Sequence, residues 1–452
     1  MTTRSERPAG ERWGGAYRVA AARLGAALAA LLAAVGAMGC SGGCGGGGRT
    51  DGGGSADGGA PDAAAPDAAG TDSGLPPVTC TYFTATDGSD MAAGTVAAPF
   101  ATIDRGLQAL APGDTLCLRG GTYDEGIDGN APSGTGWGAP ITVASYPGET
   151  AVLMPQTAMF VVRLRGDFHY VELVGLVLDG TNVAEAGVYI SADAAGTPDH
   201  IRVVGGEVRN APTQGVIIEA EVGLPTPDAN EFIGVAVHDN GTTDFHHGFY
   251  IQSNFNLVDG CDIYGNAGWG MQVFKEGGVN GVHAGGNVVR HNRVHDNAAA
   301  GSGRGVGIGL YVGDGNMAYD NLVWNNVIGM AVETGATNTL VYNNTLVGNG
   351  GDAGLRIGYP DPPGAAGTLV RNNVFWANPG GDILDFGTGT VAESNLLGGV
   401  DPLFLDEAAA DFHLGPGSLA LDTGIALAEV PDDADGTPRP QGAGWDMGAY
   451  EQ

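Results

Sequence analysis

Gly248-Phe249-Tyr250-Ile251-Gln252 and Gly270-Met271-Gln272-Val273-Phe274 repeat one phrase: a glycine, then apolar and variable residues in alternation. The phrase also occurs as Gly187-Val188-Tyr189-Ile190-Ser191 and Gly215-Val216-Ile217-Ile218-Glu219. It returns as Gly307-Ile308-Gly309-Leu310-Tyr311, Gly329-Met330-Ala331-Val332-Glu333 and Gly354-Leu355-Arg356-Ile357-Gly358. Its glycines lie 22 to 37 residues apart. A two-residue period turns the apolar side chains to one side of a strand and the variable ones to the other. Strands this short bury a core only by stacking on copies of themselves, so the spacing reads as a solenoid with insertions in some loops.

A second column supports this reading. Asn210, Asn240, Asn266, Asn297, Asn326, Asn349 and Asn378 each close a short strand, as in Cys261-Asp262-Ile263-Tyr264-Gly265-Asn266. Asn tolerates a left-handed turn, and stacked copies can hydrogen-bond along the axis. A propeller would repeat every ~40 residues with four strands per blade, and a leucine-rich horseshoe would carry helices and a Leu ladder. The pattern fits neither and predicts an all-β parallel β-helix. The open ends of such a stack need covering. Residues 100–110, ending before Pro112-Gly113, predict a short amphipathic capping helix at the N-terminal end, and the stretch from Asp401 is expected to cover the other.

Composition agrees with many turns and thin stacked elements: 81 glycines, and aromatics at only 7%. A net charge of −32, from 51 acidic against 19 basic side chains, argues against nucleic acid as a partner. It also repels acidic polysaccharides unless a local cation or bound metal intervenes.

The N-terminus reads as a targeting segment. Arg4, Arg7, Arg12, Arg18 and Arg23 precede an apolar run from Leu24 to Met38, too short for a comfortable membrane span. It ends in Ala37-Met38-Gly39-Cys40, which resembles the lipobox of bacterial lipoproteins, in which the Cys is lipidated. A plain secretory cleavage site beside a Cys is the alternative. By the same resemblance Ser41 suits the outer membrane. Residues 1–39 are thus expected to be a lipoprotein signal peptide, and 40–78, rich in Gly, Ala, Asp and Pro, a flexible tether. Residues 79–452 are expected to form the β-helix domain, including the N-terminal cap and the C-terminal closing segment. The expected location is the bacterial cell envelope, at the outer membrane or cell surface, with membrane contact through lipid on Cys40. Cys80 and Cys117 fall on expected strands near the domain start and are positioned to pair once exported. Cys261 reads as a lone buried thiol, and a monomer is expected.

Further motifs carry a family resemblance. Tyr82-Phe83-Thr84-Ala85-Thr86-Asp87-Gly88-Ser89-Asp90, Pro99-Phe100-Ala101-Thr102-Ile103, Pro112-Gly113-Asp114-Thr115 and Gly121-Thr122-Tyr123 resemble the opening of bacterial right-handed β-helix proteins of the pectate-lyase-like superfamily. Asp401-Pro402-Leu403-Phe404 and Asp446-Met447-Gly448-Ala449-Tyr450-Glu451 are similar to their closing segment. The resemblance implies the right-handed fold. It leaves the reaction open, since the superfamily holds lyases, hydrolases, epimerases and members without known activity. An Asp-Asp pair in a Gly-His-Gly context, an Arg-Ile-Lys and a Trp-Ile-Asp-His type segment are all missing, which disfavours polygalacturonase-like and the corresponding pectate lyase activities.

The outward columns give the candidate site. Tyr250, Gln252, Gln272, Phe274, Tyr311 and Glu333 are expected to bind substrate, since rings beside amides suit sugar faces and hydroxyls. An ordinary exposed sheet is the competing reading. Elimination on a uronide needs a base and a cation near the carboxylate. Lys275 is the only lysine of the chain, and with His247 and Arg356 it forms the candidate catalytic set; a solvated turn residue is the alternative for Lys275. Asp244-Phe245-His246-His247 loosely resembles the Asp-Pro-His motif of alginate epimerases, without its Pro. Asp433-Ala434-Asp435-Gly436 hints at calcium but fails the EF-hand pattern at Pro431 and Gly442. Calcium stays the one cofactor to consider, in another geometry. The expected function is binding of polysaccharide, with lyase- or epimerase-like processing of an acidic glycan. A non-catalytic glycan- or matrix-binding surface module is the alternative.

Overall fold

In a computed structural model the residues described are 75–275, 284–298, 305–360 and 364–452. The expected signal peptide, Cys40 and all but the last residues of the 40–78 tether lie outside them.

Three parallel sheets wind around one axis. The first has 12 strands, from Tyr82–Thr84 to Val391–Glu393. The second has 10, from Gly121–Tyr123 to Val374–Trp376, and the third has 10, from Ile127–Asp128 to Ile383–Asp385. One coil visits the third sheet at His247–Ile251, the first at Leu257–Asp259 and the second at Asp262–Tyr264, then returns to the third at Trp269–Val273. Inward residues of the third sheet stack in register, as Val216, Phe249, Met271, Ile308, Met330 and Leu355. Each is at most 1% exposed. At about 1.5–3 kcal/mol per fully buried side chain, this shared core is what a lone coil lacks.

The glycine column exists because the chain passes too close to its neighbour for a side chain. A Cβ on Gly248 would stand 2.6 Å from the Gly270 carbonyl oxygen and 2.8 Å from Nδ2 of Asn266. The asparagine column is a ladder from Asn240 to Asn378. Nδ2 of Asn240 donates to Oδ1 of Asn266 at 3.1 Å, Asn266 to Asn297 at 3.0 Å and Asn297 to Asn326 at 3.1 Å. Each buried amide also reaches a main-chain carbonyl, such as Val208 O from Asn240 at 3.0 Å, so its polar atoms stay satisfied away from water. The left-handed conformation falls one residue earlier, on Asp239, Gly265 and Asp296. Asn210 was expected in the ladder but occupies that earlier position, at φ 59°, and Ala211 takes the ladder place, donating its N–H to Asn240 Oδ1 at 3.0 Å.

The other two corners carry ladders too. Asn230, Asn256, Asn287 and Asn316 form one. Asn292, Asn321, Asn344, Asn373 and Asn395 form the other, with Cys261, buried and free, heading the column through its N–H.

The capping helix is a single turn, Ile103–Leu107, shorter than residues 100–110, with Thr102 as N-cap and Ile103 and Leu107 buried. Cys80 lies just before the strand Tyr82–Thr84 and is disulfide-bonded to Cys117, with Cα atoms 5.6 Å apart. The C-terminal stretch packs along the flank of the last coils. Leu427 and Val430 sit on Met317, Tyr319 and Tyr342, and Phe412 and Tyr450 on Leu322 and Val347. Arg439, fully buried there, binds Asp320 at 2.7 Å and Glu451 at 2.8 Å.

Candidate functional site

The outward column of the third sheet runs in register through Tyr189, Ile217, Tyr250, Gln272, Gly309, Ala331 and Arg356. Neighbouring strands are ~4.8 Å apart, so large side chains at equivalent positions must touch. The face is accordingly closed rather than exposed. Gln252, Gln272, Tyr311, Glu333 and Arg356 are each under 10% exposed, while Tyr250, Phe274 and Lys275 are half-buried. The register shifts between Leu310 and Val312 against the next strand, and this irregularity sets Tyr311 and Glu333 apart from the regular pairing.

Two groups of residues form on this face. In the first, the His247 ring lies parallel to Tyr250, with centroids 5.1 Å apart, and meets the edge of Trp269 at 5.1 Å. Trp269 in turn meets Tyr311, and Tyr311 meets Phe274. His247 Nδ1 donates to Gln214 Oε1 at 3.0 Å. Burial pushes the His247 pKa down to about 3, so the ring is neutral in the physiological range. Lys275 Nζ donates to Gln252 Oε1 at 2.9 Å, and that oxygen also accepts the Ala220 N–H.

The second group centres on Arg356, whose guanidinium binds Glu333, Asp352 at 2.8 Å and the Tyr359 hydroxyl at 3.1 Å. Burial raises the Glu333 pKa, with Arg356 opposing, and the Tyr311 and Tyr359 hydroxyls complete the group around Glu333. Burial also raises the Tyr311 phenol well above its ordinary value. Among the described residues no hydrogen bond or ion pair joins Lys275 to His247 or to Arg356. The expected catalytic set is therefore distributed over two neighbourhoods of one face. Arg356 is held by carboxylates of the protein itself.

A cleft of about 320 Å³ opens on the same face, nearer the N-terminal end, and is lined by Phe160, Tyr189, Ile217, Glu185, Glu219, Gln214 and His246 among others. Sequence reasoning missed most of it. Phe160 precedes the strand Val162–Arg165, in a coil that lacks the leading glycine, and His246 drew attention only as a neighbour of His247.

The Asp433 loop does not fit calcium. Its Oδ1 accepts the N–H groups of Asp435 and Thr437, and its Oδ2 that of Glu451, so the carboxylate caps a turn. Among the described residues no group of three or more His, Cys, Asp or Glu side chains is arranged to hold a metal ion.

Comparison with known proteins agrees with this architecture. Residues 214–397 match the family described as right handed beta helix region. The crystal structure of pectate lyase Pel9A superposes with a TM-score of 0.61 at 18% identity, covering 83% of this chain and 97% of that one. An alginate lyase from Paenibacillus sp. str. FPU-7 aligns with a TM-score of 0.46 at 19% identity, over 63% of this chain and 95% of that one. Over 142 residues the chain is 29% identical to uncharacterized protein YwoF of Bacillus subtilis (strain 168), covering 29% of this chain and only 29% of the length of that relative. The chain is an all-β, right-handed parallel β-helix with the pectate-lyase-like fold.

Proposed function

We propose that this chain binds polysaccharide along the outer face of the third sheet. The observation that carries the reading is the chain of rings there, His247 on Tyr250 and Trp269, Trp269 on Tyr311 and Tyr311 on Phe274, with the amide of Gln272 paired to Tyr250 in register. A polymer of repeating units suits a face that repeats at a fixed rise, with ring faces for sugar C–H groups and amides for hydroxyls.

The finer reading is lyase- or epimerase-like action on an acidic glycan. Lys275 would remove the proton alpha to the uronate carboxylate. Elimination then expels the glycosidic oxygen at C4 and leaves a C4–C5 double bond, whereas epimerisation returns the proton on the opposite face. Incubating the purified chain with alginate, pectate and glycosaminoglycans, with and without calcium, tests the eliminative version by absorbance of the unsaturated product. Absorbance lost in Lys275→Ala supports Lys275 as the base. Polymer retained without any absorbance removes the lyase, and activity intact in Lys275→Ala removes the base.

The second reading, a non-catalytic glycan- or matrix-binding module, is favoured by Arg356. Its charge is already neutralised by Glu333 and Asp352 and does not await a substrate carboxylate.

Export and anchoring belong to the same proposal. The Arg-rich start, the apolar run and Cys40 support a lipid-anchored envelope protein. Radiolabelled palmitate incorporated by the native chain and not by Cys40→Ser is the expected result; equal labelling refutes it.

A further inference from the structure

The cleft on the third-sheet face is lined by carboxylates and by no lysine or arginine. Its apolar part is Phe160, stacked on Tyr189 with centroids 4.4 Å apart and planes at 14°, followed by Ile217 on the next coil. Its charged lining residues are the carboxylates Glu185 and Glu219, and the Tyr189 hydroxyl donates to Glu219 at 2.6 Å. The neighbouring arginines on this sheet are already paired, Arg163 with Asp128 and Arg165 with Glu221. The remaining titratable group is His246. Burial lowers its pKa, with Asp244 opposing, and its Nδ1 accepts the Thr242 N–H at 2.9 Å. The imidazole is therefore neutral, with its hydrogen on Nε2.

A uronate placed here would face two carboxylates and no opposing cation among the lining residues. Like charges brought together in this way repel and reject a wrong partner. Hydroxyl groups, in contrast, donate to carboxylates through charge-assisted bonds, while a sugar's C–H face rests on Phe160 and Ile217.

We infer that the cleft lined by Phe160, Ile217, Glu185 and Glu219 is a subsite for an uncharged sugar unit, so the polymer lying on this face is not a run of uronates alone. The inference rests on the glycan-binding reading of the third sheet and narrows its substrate class. It places selection between neutral and acidic units at the N-terminal part of the face.

Titration calorimetry on the full chain tests it, with uncharged gluco-, xylo-, manno- and galacto-hexasaccharides and with hexagalacturonate as probes. At least one uncharged probe should bind, and both Phe160→Ala and the isosteric Glu219→Gln should weaken it about tenfold, the size expected of an anchor contact and of a hydrogen bond to a charged group. Phe160→Ala should leave hexagalacturonate affinity within about twofold, and Glu219→Gln should raise it, because a repulsive charge is gone. Should Phe160→Ala unfold, Glu219→Gln alone carries the test, with an unchanged melting temperature as its control.

The inference is overturned if no uncharged probe binds while hexagalacturonate does, or if neither variant changes an uncharged probe's affinity. In either case the face itself still stands wherever Tyr250→Ala and Phe274→Ala weaken binding. If no probe binds at all, the glycan-binding reading falls together with the cleft.

Discussion

The two faces of the third sheet are made by the same strands and obey different rules. Inward, Val216, Phe249, Met271, Ile308, Met330 and Leu355 are interchangeable in kind: apolar, in register and sealed. Outward, the same strands carry Ile217, Tyr250, Gln272, Gly309, Ala331 and Arg356, of which only Gly309 and Ala331 are alike. The inner face is repetitive because every coil solves the same packing problem. The outer face is not, and a column that varies while its backbone repeats is where particular chemistry can be placed. Its closure by Arg356, Glu333 and Tyr311 shows that variation does not mean exposure.

The largest test of this division is a pair of adjacent substitutions. Phe249 is fully buried and meets Phe232 edge-on at 5.2 Å, so Phe249→Ala should cost about 3–5 kcal/mol through lost burial and a cavity. Tyr250→Ala, one residue along on the other face, should cost about 1 kcal/mol. Urea midpoints of the two variants measure the difference, and equal shifts would break the comparison. Next in size is Arg356→Ala. Glu333, 1% exposed, would lose its cation, and a broken buried pair costs about 3 kcal/mol. Glu333 has a raised pKa in the folded state, so without Arg356 it should take up a proton, and the loss should shrink as pH falls toward 5. A shift independent of pH would show that Glu333 is not the group left exposed to the loss.

What could be read in advance follows the same division. The glycine phrase and the Asn240–Asn378 column specified the solenoid because both mark places where backbone crowding and buried amides allow one solution. Asn210 was misplaced by one residue because Asn serves both the left-handed turn position and the ladder position, and only the hydrogen bond to Asn240 tells them apart. The ladders through Asn256 and Asn321 were overlooked since their strands do not carry the repeating glycine phrase, and Cys261 disguised the head of one of them. The outer column from Tyr189 to Arg356 was aligned correctly from the repeats, while the irregularity after Leu310, which displaces Tyr311 and Glu333, was not. The column's partners were not foreseeable, because Arg356 binding Asp352 and Tyr359 depends on the turn geometry after each strand. The cleft stayed hidden because Phe160 and Glu185 lie in corners, where loop lengths rather than alternation decide who meets whom.

Between the faces stand the ladders, which are polar and yet repetitive. Asn266→Ala should remove the acceptor used by both the main-chain N–H and the Nδ2 of Asn240, and the donor to Asn297. Stranded buried donors of this kind cost about 1–3 kcal/mol. Asn266→Asp should be worse than Ala at neutral pH, since it presents a buried charge to Oδ1 of Asn297 where an N–H had been. Thermal unfolding of the two variants at pH 7 orders them; an aspartate as stable as the alanine would mean that water enters the corner.

The smallest effect is expected on the second sheet, whose outer face repeats rings instead of varying. His238, Tyr264, His295 and Trp324 stand in register, with successive centroids 4.7, 5.2 and 4.2 Å apart. Burial pulls the His238 pKa down, but its contacts with Glu207 and Asp239 outweigh that, and the net direction is upward. A raised folded-state pKa favours the protonated fold. Its contribution is fully present below the unfolded value of about 6.5 and is lost as pH rises through the folded value. The melting temperature should therefore fall between pH 6 and 8 by a small amount, and His238→Gln should flatten that part of the profile while keeping a ring-sized amide in the stack. A slope unchanged in the variant would assign it to another group, and the second-sheet face would then resemble the inner one, repeated for packing alone.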